Sequence, residues 1–258
     1  ALALARDAAA HGVTKLICVG GDGTVHEAAN GLLQAPLADD GATRVALGLI
    51  PAGTGDDFAK MINVFKLPPE AAAARMARAE ETRFDVGKAD GEYFDNILGM
   101  GFDAEAVRHA LRIRRLKGVA VYLAAIYRTF VTFRAPVLEI ESAEHSEIGP
   151  MMMLGAGIGI CEGGGFYITP EGDPTDGLLD VCLIRKVGLL QFLRDVPKVM
   201  KGTHTGLDEV AMFRTRRVTI RCAERPLVLH LDGELREPHR HEVEVSVEPR
   251  RLRVLVGR

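Results

Sequence analysis

Gly20-Gly21-Asp22-Gly23-Thr24-Val25-His26-Glu27 follows the short apolar run Lys15-Leu16-Ile17-Cys18-Val19, and the order of the two decides the fold. The run reads as a buried parallel strand that ends in a tight glycine turn. Val25, Ala28, Ala29, Leu32 and Leu33 then recur at helical spacing, and Asp22 and Thr24 are residue types that open helices. A strand, a glycine turn and a helix N-terminus together make a phosphate cradle. Glycines let backbone N–H groups approach an anion, and the helix dipole favours negative charge there. Asp22 is out of place in a plain anion site. A carboxylate among phosphate-binding amides repels the ligand unless a divalent cation lies between, so Gly20 to Glu27 read as a site for a metal-bound nucleotide. A glycine turn with an N-capping Asp is the plainer reading of the same residues.

A second unit of the same kind follows. Arg44 to Ile50 reads as another buried strand and runs into Pro51-Ala52-Gly53-Thr54-Gly55-Asp56-Asp57-Phe58-Ala59-Lys60. Two such units in succession argue for a parallel sheet whose loops gather at one edge, which adds Gly53 and Thr54 to the expected nucleotide contacts. An Ala-rich helix is expected from Pro68 to Glu81, and strand-like alternation takes over at Arg83-Phe84-Asp85-Val86-Gly87. The expected organisation is an α/β nucleotide-binding domain over 1–83 and a β-rich domain over 84–258. Tyr93 to Leu98 reads as a strand and Gly99 to Asp103 as the opening of a helix capped by Asp103. The later half shows short strands at Pro136 to Glu141, Met151 to Ile158, Leu178 to Ile184, Val218 to Cys222, Leu227 to Leu231, Glu242 to Val247 and Leu252 to Val256. They suggest a β-sandwich-like architecture. One helix, Leu189 to Met200, interrupts them, and Pro197 suggests a kink or an early end.

Composition narrows the function classes. The 258 residues carry 32 basic and 35 acidic side chains, a net charge of −3, so no global field points to nucleic acid. Apolar residues make up 47 %, yet no run approaches the ~20 that a spanning helix needs. Cys18, Cys161, Cys182 and Cys222 are far apart with no zinc spacing, as reduced thiols in a cytoplasmic protein would be. The chain opens directly in a helical pattern without an initiator Met or a signal peptide, and is expected to be a fragment without its natural N-terminus. Arg108, Arg112, Arg114, Arg115 and Lys117 precede Val119, Tyr122, Leu123, Ile126, Tyr127 and Phe130 at helical spacing. This suits either a core helix with a solvated basic end or a helix lying on anionic lipid.

Two turns of the later half carry chemistry. Glu171 to Asp180 is acidic and rich in oxygen donors, which suits Mg²⁺ or Ca²⁺, an acidic turn without metal being the alternative. Leu231-Asp232-Gly233-Glu234 puts a carboxylate on a tight turn after a strand, which is either a plain hairpin or a group that projects into a cleft.

Gly-Gly-Asp-Gly-Thr at 20–24, followed by Gly-Thr-Gly-Asp-Asp-Phe-Ala at 53–59, resembles the catalytic domain of the diacylglycerol kinase family, notably its soluble bacterial lipid kinases. That family carries Asn at the position of Asp56, and Asn or His at that of His26. It also begins with a further strand and an Asn-Pro-x-x-Gly phosphate loop that this chain does not contain. The resemblance implies ATP and Mg²⁺ as cofactors and Glu234 as the base that deprotonates a lipid hydroxyl. It implies Asp22 and Asp57, with Asp85 in the interdomain cleft, as the groups holding Mg²⁺ on the phosphates. A structural Mg²⁺ would rest on the backbone carbonyls of Asp173 and Leu178 and the side chain of Asp176. The expected activity is transfer of the γ-phosphate of ATP to a lipid, diacylglycerol by default, at the inner face of a membrane. Exposed sheet edges would suit a homodimer. The alternatives are a non-catalytic nucleotide- or lipid-binding sensor on the same fold, and an NAD kinase, which shares the first glycine turn.

Overall fold

The computed structural model describes residues 1–112, 128–236 and 240–258. Helix α1 (Leu2–Ala10) leads into β1 (Lys15–Gly20), α2 (Asp22–Leu33), β2 (Ala46–Pro51), α3 (Asp57–Met61) and α4 (Pro69–Met76). Strands β1 and β2 pair in parallel from Lys15↔Ala46 to Gly20↔Pro51, so both end at the same edge. Both glycine turns therefore open side by side. The buried face of α2, through Val25, Ala28, Ala29 and Leu32, packs in one core with Leu47 and Leu49 of β2. Helix α1 lies so close to α2 that a Cβ on Gly31 would sit 2.3 Å from the carbonyl oxygen of Leu2.

The expected helix over 68–81 is shorter than its alanines suggest. Helix α4 stops at Met76, and β3 (Glu80–Ala89) takes the chain away because Glu80 to Phe84 pair with the C-terminal strand β13 (Glu242–Val256). Positions 83 and 84, where the sequence suggests a domain boundary, lie inside β3. The strand expected over 93–98 is two, β4 (Glu92–Phe94) and β5 (Ile97–Gly101), parted at Asp95-Asn96. Helix α5 (Phe102–Arg112) follows. Of the basic and apolar pattern noted above, Arg108, Arg112 and Phe130 are among the described residues, and Arg114, Arg115, Lys117, Val119, Tyr122, Leu123, Ile126 and Tyr127 lie outside them.

Residues 128–132 are helical (α6), and β6 (Val137–Ser142), β7 (Ser146–Gly157) and β8 (Leu179–Arg185) form the antiparallel body. Helix α7 (Leu189–Val199) continues through Pro197 and ends two residues later. Strands β9 (Val210–Thr215), β10 (Arg217–Arg221), β11 (Leu229–Leu231) and β12 (Glu234–Arg236) precede β13. The two strands expected over 242–256 are one, with an irregularity between Glu248 and Leu252 where Arg250 takes a positive φ of 55°. That strand joins the halves: its Val243 to Val247 belong to the β-rich core, and its Leu252 to Leu255 pack in the core of the α/β half. Val254 also pairs in parallel with Leu47 of β2. The architecture is thus an N-terminal α/β unit followed by a β-sandwich-like unit, with one mixed sheet path running from β1 to β12.

The β3–β4 hairpin shows how tightly these strands are packed. Phe94 is buried opposite Gly87, where a Cβ would lie 1.9 Å from the ring. Gly87→Ala is expected to cost about 1–3 kcal/mol by overpacking. Urea unfolding should show a lower midpoint with an unchanged slope; an unchanged midpoint would contradict this packing.

Candidate functional site

Three glycine loops meet at the ends of β1 and β2. A Cβ on Gly53 would lie 2.5 Å from the Cα of Gly21, and a Cβ on Gly164 would lie 3.0 Å from the Cα of Gly55. Only glycines allow backbones to touch in this way. The Ala52 N–H donates to the Gly20 carbonyl at 2.9 Å, and Asp56, itself at φ 50°, accepts from the Gly53 N–H at 3.0 Å. Helix α2 starts directly after Gly21, whose carbonyl takes the Thr24 N–H at 3.0 Å, which leaves the Asp22 and Gly23 amides at the head of the helix without an intrahelical acceptor. Asp22 is therefore the first helical residue and caps nothing on its own helix. Its Oδ1 accepts from the Phe58 N–H at 3.0 Å, which ties the start of α2 to the start of α3.

Asp57 is buried beside Asp22 in this loop set. Its carboxylate pairs with Lys60 and accepts from the Cys161 thiol at 3.1 Å and the Gly164 N–H at 2.9 Å. Burial and then Asp57 push the Cys161 thiol up to about 12, so it stays protonated and donates. Asp22 is raised above the ordinary carboxylate range by burial and by the charges of Asp57 and Asp56, against the hydrogen bond from Phe58. A carboxylate raised by its neighbours' charges suits a cation beside it.

Glu234 stands over this cradle. A Cβ on Gly23 would lie 3.2 Å from its Oε1, so the glycine leaves the room the carboxylate occupies. The turn that carries it has two positive φ values, 51° at Asp232 and 83° at Gly233. The Asp232 carboxylate holds the turn: Oδ1 accepts from the Asn96 and Ile97 N–H groups, and Oδ2 from the Asp95 N–H, all at 3.0 Å. His26 Nδ1 lies 2.8 Å from Oδ2, and its Nε2 accepts from Arg236 at 3.2 Å, so the proton of His26 is on Nδ1. Burial works against a charge on His26, yet the bond to Asp232 raises its pKa overall. Burial, and then the Asp232 and Asp22 charges, raise Asp95 well above the usual carboxylate range.

The expected nucleotide residues thus divide. Gly20, Gly21, Asp22, Gly23, Thr24, Gly53 and Thr54 surround the cradle, with the Thr24 hydroxyl packed over Gly20. Val25 belongs to the core, the His26 ring is committed to Asp232 and Arg236, and Glu27 is exposed. Asp85 joins another group. Its two oxygens accept from the Gly177 N–H at 2.6 Å and the Arg250 N–H at 2.7 Å, and its own N–H donates to the Pro174 carbonyl at 2.7 Å. It clamps the acidic turn of Asp173 and Asp176 against β13. Burial and then the charges of Asp176 and Asp173 raise the Asp85 pKa, despite its two backbone bonds. Asp173 Oδ1 accepts from Thr175 N–H at 2.9 Å, and Asp176 Oδ1 from Leu178 N–H at 2.9 Å. The all-oxygen, net negative turn fits a hard cation such as Mg²⁺.

A cluster that sequence reasoning missed lies behind the Glu234 turn. Asp103 does not cap α5; it sits in the first turn, and its Oδ2 faces His230 Nε2 at 3.3 Å, with Glu162 Oε2 at 3.6 Å from the same nitrogen. The three come from distant segments with no shared spacing, so no local pattern announces them. Burial pushes Glu162 up to about 8.

Comparison with known proteins shows the family and the fold. Residues 1–89 match the diacylglycerol kinase catalytic domain, and residues 96–256 match the YegS C-terminal NAD kinase beta sandwich-like domain. A diacylglycerol kinase of Bacillus subtilis is 29 % identical over 231 residues, covering 89 % of this chain and 74 % of that protein. A protein of Chromohalobacter salexigens named probable lipid kinase YegS-like is 30 % identical over 232 residues, covering 90 % and 73 %. The crystal structure of a diacylglycerol kinase from Bacillus anthracis superposes with a TM-score of 0.71 at 20 % identity, covering 99 % of this chain and 80 % of that one, and shares the fold.

Glu162 makes a testable contribution to stability. It ionises near its ordinary 4.5 when unfolded and near about 8 when folded, so the folded state binds the extra proton between those values. Stability therefore falls as pH rises through that window and levels off above it. Glu162→Gln should flatten this decline in a series of thermal melts; a slope equal to that of the unsubstituted chain would contradict a buried, protonated Glu162.

Proposed function

We propose, from the premise that this chain belongs to the family of diacylglycerol kinases and YegS-like lipid kinases, that it transfers the γ-phosphate of ATP to a lipid hydroxyl. Diacylglycerol is the first acceptor to consider, and phosphatidic acid the product. The observation that carries this reading is the placement of the Glu234 carboxylate over Gly23, at the head of α2. A phosphate seated on the α2 amides would have a carboxylate beside it, and an alcohol between the two would be deprotonated as it attacks. A positioned carboxylate contributes typically ~10²–10⁴-fold to such a step.

Each group then has a task. The amides of Gly21 to Gly23 and the Gly53-Thr54 loop hold the phosphates without a side chain in the way. Glu234 takes the acceptor's proton while the γ-phosphoryl passes to the acceptor oxygen and ADP leaves. Asp22 and Asp57 would hold Mg²⁺, which when bound neutralises charge on the phosphates. Asp85, Asp173 and Asp176, with the Leu178 carbonyl, would hold a second, structural Mg²⁺ that fixes the acidic turn.

Apolar surfaces suit a lipid acceptor. A cavity of about 70 Å³ beneath α7 is lined by Phe102, Met152, Met153, Ile184, Phe192 and Val196. Leu189, Leu190 and Leu193 of α7 face solvent, Leu190 with 84 % of its surface exposed. No helix among the described residues is long and apolar enough to cross a membrane, so in this reading the protein meets its lipid from the membrane surface.

The test is transfer of labelled phosphate from ATP to a panel of lipids in mixed micelles. One labelled lipid, with label reduced at least about 10²-fold in Glu234→Gln, is the expected result. Magnesium-dependent ATP binding with no lipid labelled would contradict the kinase reading and favour a nucleotide sensor.

A further inference from the structure

We infer that His230 is a positioning residue for the Asp-Gly-Glu turn: it accepts the Gly233 amide at Nδ1, while Asp103 and Glu162 keep the ring proton on the opposite nitrogen. This rests on the reading of Glu234 as the base. Gly233 N–H lies 3.1 Å from His230 Nδ1. It is the next amide after Asp232 and the last before Glu234, in a turn whose two central residues both have positive φ. Asp232 fixes the near side of that turn through its carboxylate, and His230 fixes the far side. Strand β12 is only three residues long, so it adds few ladder bonds of its own.

The surroundings are built for the ring. His230 pairs with Gly99 of β5, where a Cβ would lie 1.9 Å from Asp103 Oδ2 and 2.3 Å from His230 Nε2. A glycine is required there because the imidazole and the Asp103 carboxylate fill the space. His230 is 2 % exposed, and Asp103 Oδ2 and Glu162 Oε2 are buried without a hydrogen-bond partner, both within ion-pair distance of His230 Nε2. Because Nδ1 accepts, the proton of a neutral ring is on Nε2, the side of the ring near the two carboxyl groups.

Two other uses of the cluster fail on the same bond. A metal ion would need the lone pair of Nε2, which moves the ring proton to Nδ1 and sets it against the Gly233 N–H. An imidazolium meets the same obstacle. Burial opposes a charge on His230, while Asp103, Glu162 and Asp232 favour one, so charge balance alone would raise its pKa. The second proton could sit only on Nδ1, where an N–H already points. The amide therefore holds the ring neutral, and Glu162 rather than His230 keeps the extra proton of the cluster near neutral pH.

The experiment has two arms, both on the full chain. In the first, long-range ¹H–¹⁵N NMR reads the His230 tautomer near neutral pH without any substitution. A protonated Nε2 with a bare Nδ1 is expected; a protonated Nδ1, alone or as imidazolium, overturns the proposal. In the second, His230→Leu removes the acceptor and His230→Asn replaces it with an amide oxygen close to the Nδ1 position. His230→Leu should lower kcat for lipid phosphorylation by roughly ten- to a hundredfold, the scale of a misplaced catalytic group. KM for ATP should stay within about twofold, since the phosphate-binding amides are untouched. His230→Asn should recover most of the rate. Equal rates in His230→Leu and the unsubstituted chain, or equal losses in both variants, overturn the proposal. If no lipid is phosphorylated by the unsubstituted chain, the kinase reading fails, and the tautomer still decides the role of His230.

Discussion

The carboxylate of Asp232 is the joint on which the site depends. It is almost wholly buried, and a buried charge is tolerated only when donors saturate it. Its donors come from Asp95, Asn96 and Ile97, where β5 begins, and from His26 on α2. One side chain thus fastens the turn that carries Glu234 both to the β-rich half and to the helix that heads the phosphate cradle. Removing it would leave three amides and an imidazole without their acceptor, a penalty well beyond the worth of one surface contact. The break between β4 and β5 has the same cause, since Asp95 and Asn96 turn their amides to Asp232 instead of to a neighbouring strand.

Close backbone approach is the second constraint. The loops at Gly21, Gly53, Gly55 and Gly164 touch through their Cα atoms, so the cradle is a contact of three chain segments and not a single flexible loop. Asp22 and Asp57 sit inside that contact and spend oxygens on backbone amides of other segments, Phe58 and Gly164 respectively. The role proposed for them, attracting a cation, would therefore come without loss of position. Such preorganised groups act at no cost in reorganisation when charge develops.

Much of this was legible in the sequence because its cause is local. The strand, glycine turn and helix of residues 15–33 are adjacent in the chain, and the parallel pairing of β1 with β2 follows from two such units in a row. Glu234 could be singled out only through the family resemblance, because the local sequence favours a plain hairpin. What was not legible depends on partners far away. Asp232 looked like a turn residue because its four donors lie at positions 26 and 95–97. The early end of α4 depends on β13, more than a hundred and fifty residues later, whose pairing outweighs alanine propensity. Asp85, expected at the phosphates, bonds to Gly177 and Arg250, and Asp103, expected as a cap, faces His230.

The central claim is that Asp232 places Glu234 over the phosphate cradle without itself holding nucleotide. Single-turnover phosphate transfer by Asp232→Asn, measured beside MgATP affinity and a thermal melt, tests it most directly. The account predicts a folded protein that binds MgATP within about threefold of the unsubstituted chain and transfers phosphate about 10²-fold more slowly. Transfer at an unchanged rate in a folded Asp232→Asn chain would contradict it.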